Sequence, residues 1–403
     1  MTAVVIVLWL ATAAVLWPSL VFFFQCLCAR SSGCANPASL TGVRPRIAVL
    51  VPAHDEESGI ATIVRALRTE LTEDDRLLVV ADNCTDGTAS AAAAAGAEVI
   101  ERFDRTHHGK GYALAYGTEH LAKRPPQVVI IVDADCCVSE GGLDRLARVA
   151  AKTGRPVQAE YLLSLPAKPD ARSAISGLAF LVRNLVRPRG MHRLGFPCQL
   201  TGSGMAFLWP LLRDAPPLRA NLVEDLRLGI ELALAGTPPV LCSAVSVSSA
   251  LPDPGKAQLG QRRRWEHGHL STLLSQGPRL LWAGIAQWRA DLVAMAFDLM
   301  VPPLALLVTA VAGLSLLAAG AAVAGASTGP LLLGLVSGLV VLLAVLSAWW
   351  RFARHLLPAR LLASVPAYVL WKMPLYLGFF LRGRHKRWER TTRATGAAGK
   401  PIP

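Results

Sequence analysis

The sequence predicts an α/β domain with a doubly wound, mostly parallel sheet, flanked by transmembrane and interfacial helices. Three observations predict it. Between Arg46 and Thr153, short apolar runs alternate with amphipathic stretches at the spacing of strand–helix units. Long, nearly uncharged apolar segments lie toward both ends of the chain. Carboxylate-rich clusters directly follow the apolar runs, at the strand ends where sheets of this kind bind ligands.

The first apolar segment, Val4–Cys28, is uncharged and long enough to cross a hydrocarbon core of about 30 Å. A cleaved signal peptide is the alternative, but there is no basic leader and the run is too long. Arg30 is the first charge, so the C-terminal side of this segment is expected in the cytoplasm. A Ser/Gly/Pro-rich linker follows. Arg46–Val51, Arg76–Ala81, Ala97–Ile100 and Gln127–Val132 then read as strands. Ser58–Leu71, Thr85–Ala95, Lys110–Ala122 and Gly141–Thr153 read as helices.

Further on, Leu270–Leu292 mixes Trp282, Trp288, Arg279 and Arg289 with aliphatics, the pattern of an interfacial helix. Val301–Ala324 and Leu331–Trp350 are two more candidate spans, joined by an uncharged connector and followed by the basic Arg351, Arg354 and Arg360. Leu361–Leu381 carries Lys372, Pro366 and Pro374, and a charge near mid-membrane is costly. It therefore reads as interfacial or re-entrant, with both ends cytoplasmic. The expected organisation is a membrane helix in 1–29, a linker in 30–44 and an α/β domain in 45–268, facing the cytoplasm. Interfacial helices follow in 269–296, two spans in 297–350, a basic loop with an interfacial helix in 351–390, and a tail in 391–403.

Composition agrees with a membrane protein. Of 403 residues, 53% are hydrophobic and 17% charged, which is too apolar for an ordinary soluble chain. The net charge of +13 lies largely beside apolar segments, as in Arg382, Arg384, Lys386 and Arg387, where it suits anionic lipid. No aromatic-interleaved basic motif points to nucleic acid. The eight cysteines form no Cys-x-x-Cys pair and no zinc spacing, as expected in a reducing cytoplasm. The adjacent Cys136 and Cys137 read as small buried residues rather than a redox pair.

Chemistry concentrates in a few motifs. Val51-Pro52-Ala53-His54-Asp55-Glu56-Glu57 ends the first strand with carboxylates that could hold a nucleotide or cap the next helix. At the second strand end, Asp82 could accept a hydrogen bond from a base N–H, while Thr85 or Asp86 suit a capping role. Gly109-Lys110-Gly111 opens a helix, letting backbone approach a phosphate that Lys110 would neutralise, although it is not a P-loop. The fourth strand ends in Asp133-Ala134-Asp135. Two carboxylates so close repel, and a hard divalent cation, Mg²⁺ or Mn²⁺, is their natural partner at a diphosphate site. A plain turn is the alternative. Thr201-Gly202-Ser203-Gly204 is a glycine-flanked turn into an apolar strand, and Glu224-Asp225 opens a helix where Asp225 could cap or act as a general base. Gln261-Arg262-Arg263-Arg264-Trp265 precedes the interfacial segment.

Taken in order, these motifs resemble the membrane-bound family 2 glycosyltransferases of GT-A fold, over roughly Arg46 to Trp265. Bacterial exopolysaccharide-associated enzymes are the nearest resemblance; cellulose, chitin and hyaluronan synthases and ceramide glucosyltransferases share the order. The resemblance implies a bacterial inner-membrane, multi-pass enzyme with a cytoplasmic catalytic domain and inverting, metal-dependent transfer from a nucleotide-sugar, expected to be a UDP-sugar. It implies that Pro52, Asp55, Glu56 and Asp82 contact the nucleoside end of the donor and that Lys110 lies near the phosphates. Asp133 would bind the nucleotide and Asp135 the metal. Asp225, paired with Glu224, would be the base. Gln261, Arg264 and Trp265 would close over the donor, and Gly202, Ser203 and Gly204 would line the acceptor side.

The candidate spans are fewer than in polymer-extruding synthases and nearly devoid of polar residues, which favours single transfer to a lipid or lipid-linked acceptor. The alternatives are a processive synthase, perhaps completed by a membrane protein partner, a nucleotidyltransferase, and a non-catalytic partner.

Overall fold

The computed structural model describes residues 2–30, 42–166, 169–216, 224–250 and 256–382. Contacts among the described residues divide the chain into two compact units: a sheet unit (42–166, 197–216, 224–250 and 256–265) and a helical unit (2–30, 169–196 and 266–382).

The chain begins with α1 (Thr2–Cys28) and then enters the sheet unit. Strands β1 (Ile47–Ala53), β2 (Arg76–Asp82), β3 (Glu98–Arg102) and β4 (Val128–Ile131) alternate with α2 (Glu57–Arg68), α3 (Thr88–Ala94) and α4 (Lys110–Leu121). These match the expected strands and helices to within a few residues. β5 (Cys136–Val138), α5 (Gly142–Thr153) and β6 (Val157–Ser164) follow, and later β7 (Met205–Leu208), α8 (Trp209–Arg213), α9 (Glu224–Leu234) and β8 (Val240–Ala250).

The strand order is β3-β2-β1-β4-β7-β6-β8-β5. β1 to β4 form a parallel half, and β6 pairs parallel with β8. β7 runs antiparallel to both β4 and β6, and β5 antiparallel to β8, so the sheet is mixed. β1 and β4 are almost wholly buried, which explains their uninterrupted apolar sequences. A Cβ on Gly117 would meet Leu50 Cδ1 at 2.5 Å and Val80 Cγ2 at 2.9 Å. The bare backbone there lets α4 lie close on the sheet, and this fixes where its first residue, Lys110, stands.

The helical unit comprises α1, α6 (Ala171–Leu181), α7 (Arg187–Arg193), most of α10 (Lys256–Ala286), α11 (Ala290–Met300), α12 (Leu304–Val323), α13 (Gly329–Ala348), α14 (Ala359–Leu362) and α15 (Val365–Arg382). Among the described residues, three helices are long and apolar enough to cross a membrane: Ala3–Cys28, Leu304–Val323 and Gly329–Ala353. A Cβ on Gly329 would meet the Trp9 ring, and Arg351 Nη1 donates to the carbonyls of Leu27 (2.9 Å) and Ala29 (3.1 Å). α1 and α13 therefore run the same way, with the basic residues at their shared C-terminal end. α12 returns antiparallel against α13, Gly334 lying against Ser315.

One polar network inside this unit joins three of its helices. Arg187 donates from Nε to Gln25 Oε1 and from Nη2 to Asp298 Oδ1, both at 2.8 Å, and Gln25 Nε2 donates to Asp298 Oδ1 at 2.8 Å. That network joins α1, α7 and α11.

Two expectations are corrected, for 270–292 and for Cys137. Leu270–Leu292 is not one helix: α10 starts earlier and stops at Ala286, where Trp288 takes φ +54° before α11 begins. Lys372 is buried in an ion pair with Glu266 of α10. Cys137 is exposed on the edge strand β5, whereas Cys136 is buried as expected.

Candidate active site

The carboxyl ends of β1, β2 and β4 carry the predicted polar clusters. The turn after β1 is stapled to the turn after β2. Asp55, at φ +50°, accepts the Thr85 amide at 2.6 Å, and Glu57 accepts the Gly87 amide at 3.1 Å. Glu56 is the N-cap residue of α2, but no side-chain capping bond is made there. Its amide donates to Thr88 Oγ1 at 2.8 Å. Asp86 accepts the amide of Thr88, the first residue of α3, at 3.0 Å, but the N-cap residue is Gly87 rather than Thr85 or Asp86. Pro52 lies half-buried on β1, in register with Val80.

Asp82 is buried at the tip of β2. Arg102 Nη1 donates to its Oδ1 at 2.5 Å, and Asn83 Nδ2 at 3.0 Å. Burial raises its carboxyl above the ordinary value, against the opposing pull of Arg102. Arg102 also donates to Asp104 Oδ2 and the His107 carbonyl, and its guanidinium lies over the Tyr112 ring. Arg102 is thus a site residue absent from the sequence reading. Its signal is the β2–β3 register, which pairs it with Asp82 and requires the strand order.

The third cluster brings together four segments. Lys110, at the start of α4, pairs with Asp133 Oδ1 and donates to the Gly202 carbonyl at 2.5 Å. Gly202 has φ +97°, a conformation glycine adopts without strain. A Cβ there would stand 3.1 Å from Asp225 Oδ2 and 3.6 Å from Lys110 Nζ. Asp225, half-buried in the first turn of α9, accepts the Leu226 amide at 2.9 Å. The Asp133 amide donates to the buried Ser203 Oγ at 3.1 Å, anchoring the glycine turn to the end of β4. Gly204 packs into the sheet, where a Cβ would meet Val247 and Ala159. Asp133, Asp135, Lys110, Asp225, Gly202 and Ser203 are therefore one site. Trp265 is half-buried on α10. The side chains of Glu224, Gln261 and Arg264 lie outside the described residues.

Burial raises the Asp133 carboxyl, Asp135 and Asp225 raise it further, and Lys110 opposes them. Ligand atoms of Asp133, Asp135 and Cys136 lie within 4.8 Å of one another. Burial and the two aspartates hold the Cys136 thiol well above its usual range, so it stays protonated. Its Sγ points at Asp135 Oδ1 (3.6 Å) and Tyr161 Oη (3.9 Å). What remains for a cation is a pair of carboxylates, a donor set that fits a hard divalent ion. The other acidic group, Asp55, Cys84 and Asp86, spends its oxygens on the backbone staples described above.

An α/β sheet presenting carboxylates and a lysine at its strand ends, with a further carboxylate opening a helix, defines a GT-A glycosyltransferase. Residues 45–268, more than half of the chain, match the family described as "Glycosyltransferase like family 2", and the protein belongs to that family. Its structure is similar to that of the mannosyltransferase PcManGT from Pyrobaculum calidifontis, solved with GDP-Man and Mn²⁺ (TM-score 0.51, 20% identity, covering 86% of this chain and 98% of that one). It is more weakly similar to glucosyl-3-phosphoglycerate synthase from Mycobacterium tuberculosis, solved with Mn²⁺, UDP and glucosyl-3-phosphoglycerate (TM-score 0.38, 21% identity, covering 56% and 79%). No curated protein matches the chain.

Proposed function

We propose that this glycosyltransferase moves one sugar from a nucleotide-sugar, with uridine as the expected nucleoside, to a lipid or lipid-linked acceptor. The transfer inverts the anomeric carbon and serves exopolysaccharide or glycolipid synthesis. The sheet unit works on the cytoplasmic side of a bacterial inner membrane. The observation that carries this reading is the convergence of Asp133, Asp135 and Asp225 on Lys110 around the Gly202 turn.

A divalent cation, Mg²⁺ or Mn²⁺, held by Asp133 and Asp135 would supply counter-charge for the departing diphosphate, in keeping with the Mn²⁺ in the PcManGT complex. Asp225 takes the proton of the acceptor hydroxyl. As the acceptor oxygen bonds to the anomeric carbon, the bond from that carbon to the diphosphate oxygen breaks, and the nucleoside diphosphate leaves with the electron pair. Attack opposite the leaving group inverts the centre with a single base and no protein nucleophile. Pro52, Asp55, Glu56 and Asp82 serve the nucleoside end, and Gln261, Arg264 and Trp265 close over the donor. Gly202, Ser203 and Gly204 border the acceptor.

The described spans bury few polar side chains beyond Thr12, Ser19, Gln25 and Ser337. Thr12, Ser19 and Ser337 donate back to their own helices, and Gln25 is held by Arg187 and Asp298. This supports single transfer over polymer extrusion. Native membranes given radiolabelled nucleotide-sugars should yield one low-mass, solvent-extractable product. A high-mass ladder would replace this reading by the processive one, and no incorporation would sink both.

A further inference from the structure

Lys110 is placed oddly for a residue whose only task is to meet a phosphate. Its ammonium is the counter-ion of Asp133, it donates to the Gly202 carbonyl at 2.5 Å, and the Gly202 turn also borders the Asp225 carboxylate. The Lys110 and Asp133 side chains are about three-quarters buried, at 23% and 25% exposure, so solvent screens the pair only in part. Its stem is fixed at the base of a helix pressed onto the sheet at Gly117. The lysine therefore reaches Asp133 from a rigid mount rather than from a loop.

The charge count makes this position consequential. Asp133, Asp135 and Asp225 bring three negative charges together, and Lys110 returns one positive charge. A divalent cation arriving at Asp133 and Asp135 meets a carboxylate already ion-paired with an ammonium. A diphosphate arriving with it offers that ammonium a doubly charged alternative partner.

We propose that Lys110 competes with the divalent cation for Asp133, and that the donor's diphosphate relieves the competition, so that cation and donor bind cooperatively. This rests on the reading of Asp133 and Asp135 as the cation site. Linkage makes the effect reciprocal: whatever the diphosphate adds to cation affinity, the cation adds to diphosphate affinity. The consequence is an enzyme that holds its metal weakly between turnovers and firmly while a donor is present.

The test is Mn²⁺ binding to the full chain in detergent, read from the electron paramagnetic resonance of free Mn²⁺, with and without UDP. Lys110→Met keeps most of the apolar stem and removes the charge. Lys110→Gln serves as a second variant that retains a donor for the Gly202 carbonyl, and Lys110→Arg retains the charge. Without nucleotide, both uncharged variants should bind Mn²⁺ at least about fivefold more tightly than the wild type, with Lys110→Arg close to it. The strengthening of Mn²⁺ binding by UDP should shrink in the same two variants. Unchanged or weaker Mn²⁺ binding in Lys110→Met and Lys110→Gln overturns the competition. Unchanged Mn²⁺ binding in Asp135→Asn instead overturns the cation site itself, so the two failures are distinguishable.

Discussion

At the scale of the residue, the proposed transfer requires Asp225 to reach an acceptor proton. Its Oδ1 is committed to the Leu226 amide, while Oδ2 faces the Gly202 turn. Asp225→Asn keeps the shape and removes the basicity. Turnover should fall by about 10²–10⁴-fold, with donor affinity, measured by calorimetry, within about twofold of the wild type. Undiminished turnover would remove Asp225 from the mechanism. Much of this site is legible in the sequence, because Asp133 and Asp135 end an apolar run and Lys110 follows a glycine at a helix start. Arg102 is not legible. It lies twenty residues from Asp82, and only the parallel register of β2 and β3 sets the two side by side. Asp55 is half legible: its carboxylate is conspicuous, but that it is spent on the Thr85 amide follows from the φ of +50° and not from any local pattern.

At the scale of the element, Asp75 joins the starts of β1 and β2. Its Oδ1 accepts the Ile47 amide at 2.9 Å, and its Oδ2 accepts the Thr72 amide at 2.8 Å and Arg44 Nη1 at 2.6 Å. Burial alone would raise its carboxyl, but these bonds outweigh burial and hold it below the ordinary value. A carboxylate depressed in the folded state stabilises fully above the unfolded value of about 3.9. That stabilisation is lost as the pH falls through the folded value. Asp75→Asn should therefore lower stability at pH 7 by about 1–3 kcal/mol, the cost of leaving buried amides poorly satisfied. The deficit should narrow as the pH drops below about 4, which thermal melts of the two proteins across pH would show. Equal deficits at pH 7 and pH 3 would refute it. Strand and helix positions were readable from periodicity, and the strand after Gly204 among them, whereas the antiparallel pairing of β7 with β4 was not, because it joins segments more than seventy residues apart.

At the scale of the whole molecule, membrane topology follows from where α15 packs. With 18 residues it is about 27 Å long. Its contacts are with Glu266, His267 and Leu270 of α10, with Ile175 of α6, and with Ala305, Leu306 and Thr309 in the first turns of α12. That end of α12 is the same end at which α1 and α13 gather their arginines. If the arginine-bearing ends face the cytoplasm, as proposed, α15 lies on that face, and its Glu266 partner offsets part of the cost of burying Lys372. A fluorescent protein fused after Pro403 should light up in the cytoplasm, and a phosphatase fused there should stay inactive. An active phosphatase would make α15 a span.

The excursion of residues 169–196 into the helical unit, between β6 and β7, has a consequence for how the chain is made. The sheet cannot be completed as its strands leave the ribosome, since β7, which joins its two halves, arrives only after α6 and α7 have been laid aside. Those helices carry Arg187, whose partners Gln25 and Asp298 come from the earliest and a much later part of the chain. A fragment cut at the catalytic boundaries, 45–268, keeps the arginine and discards both partners. An excised 45–268 fragment therefore leaves Arg187 without the two partners that hold it in the full chain.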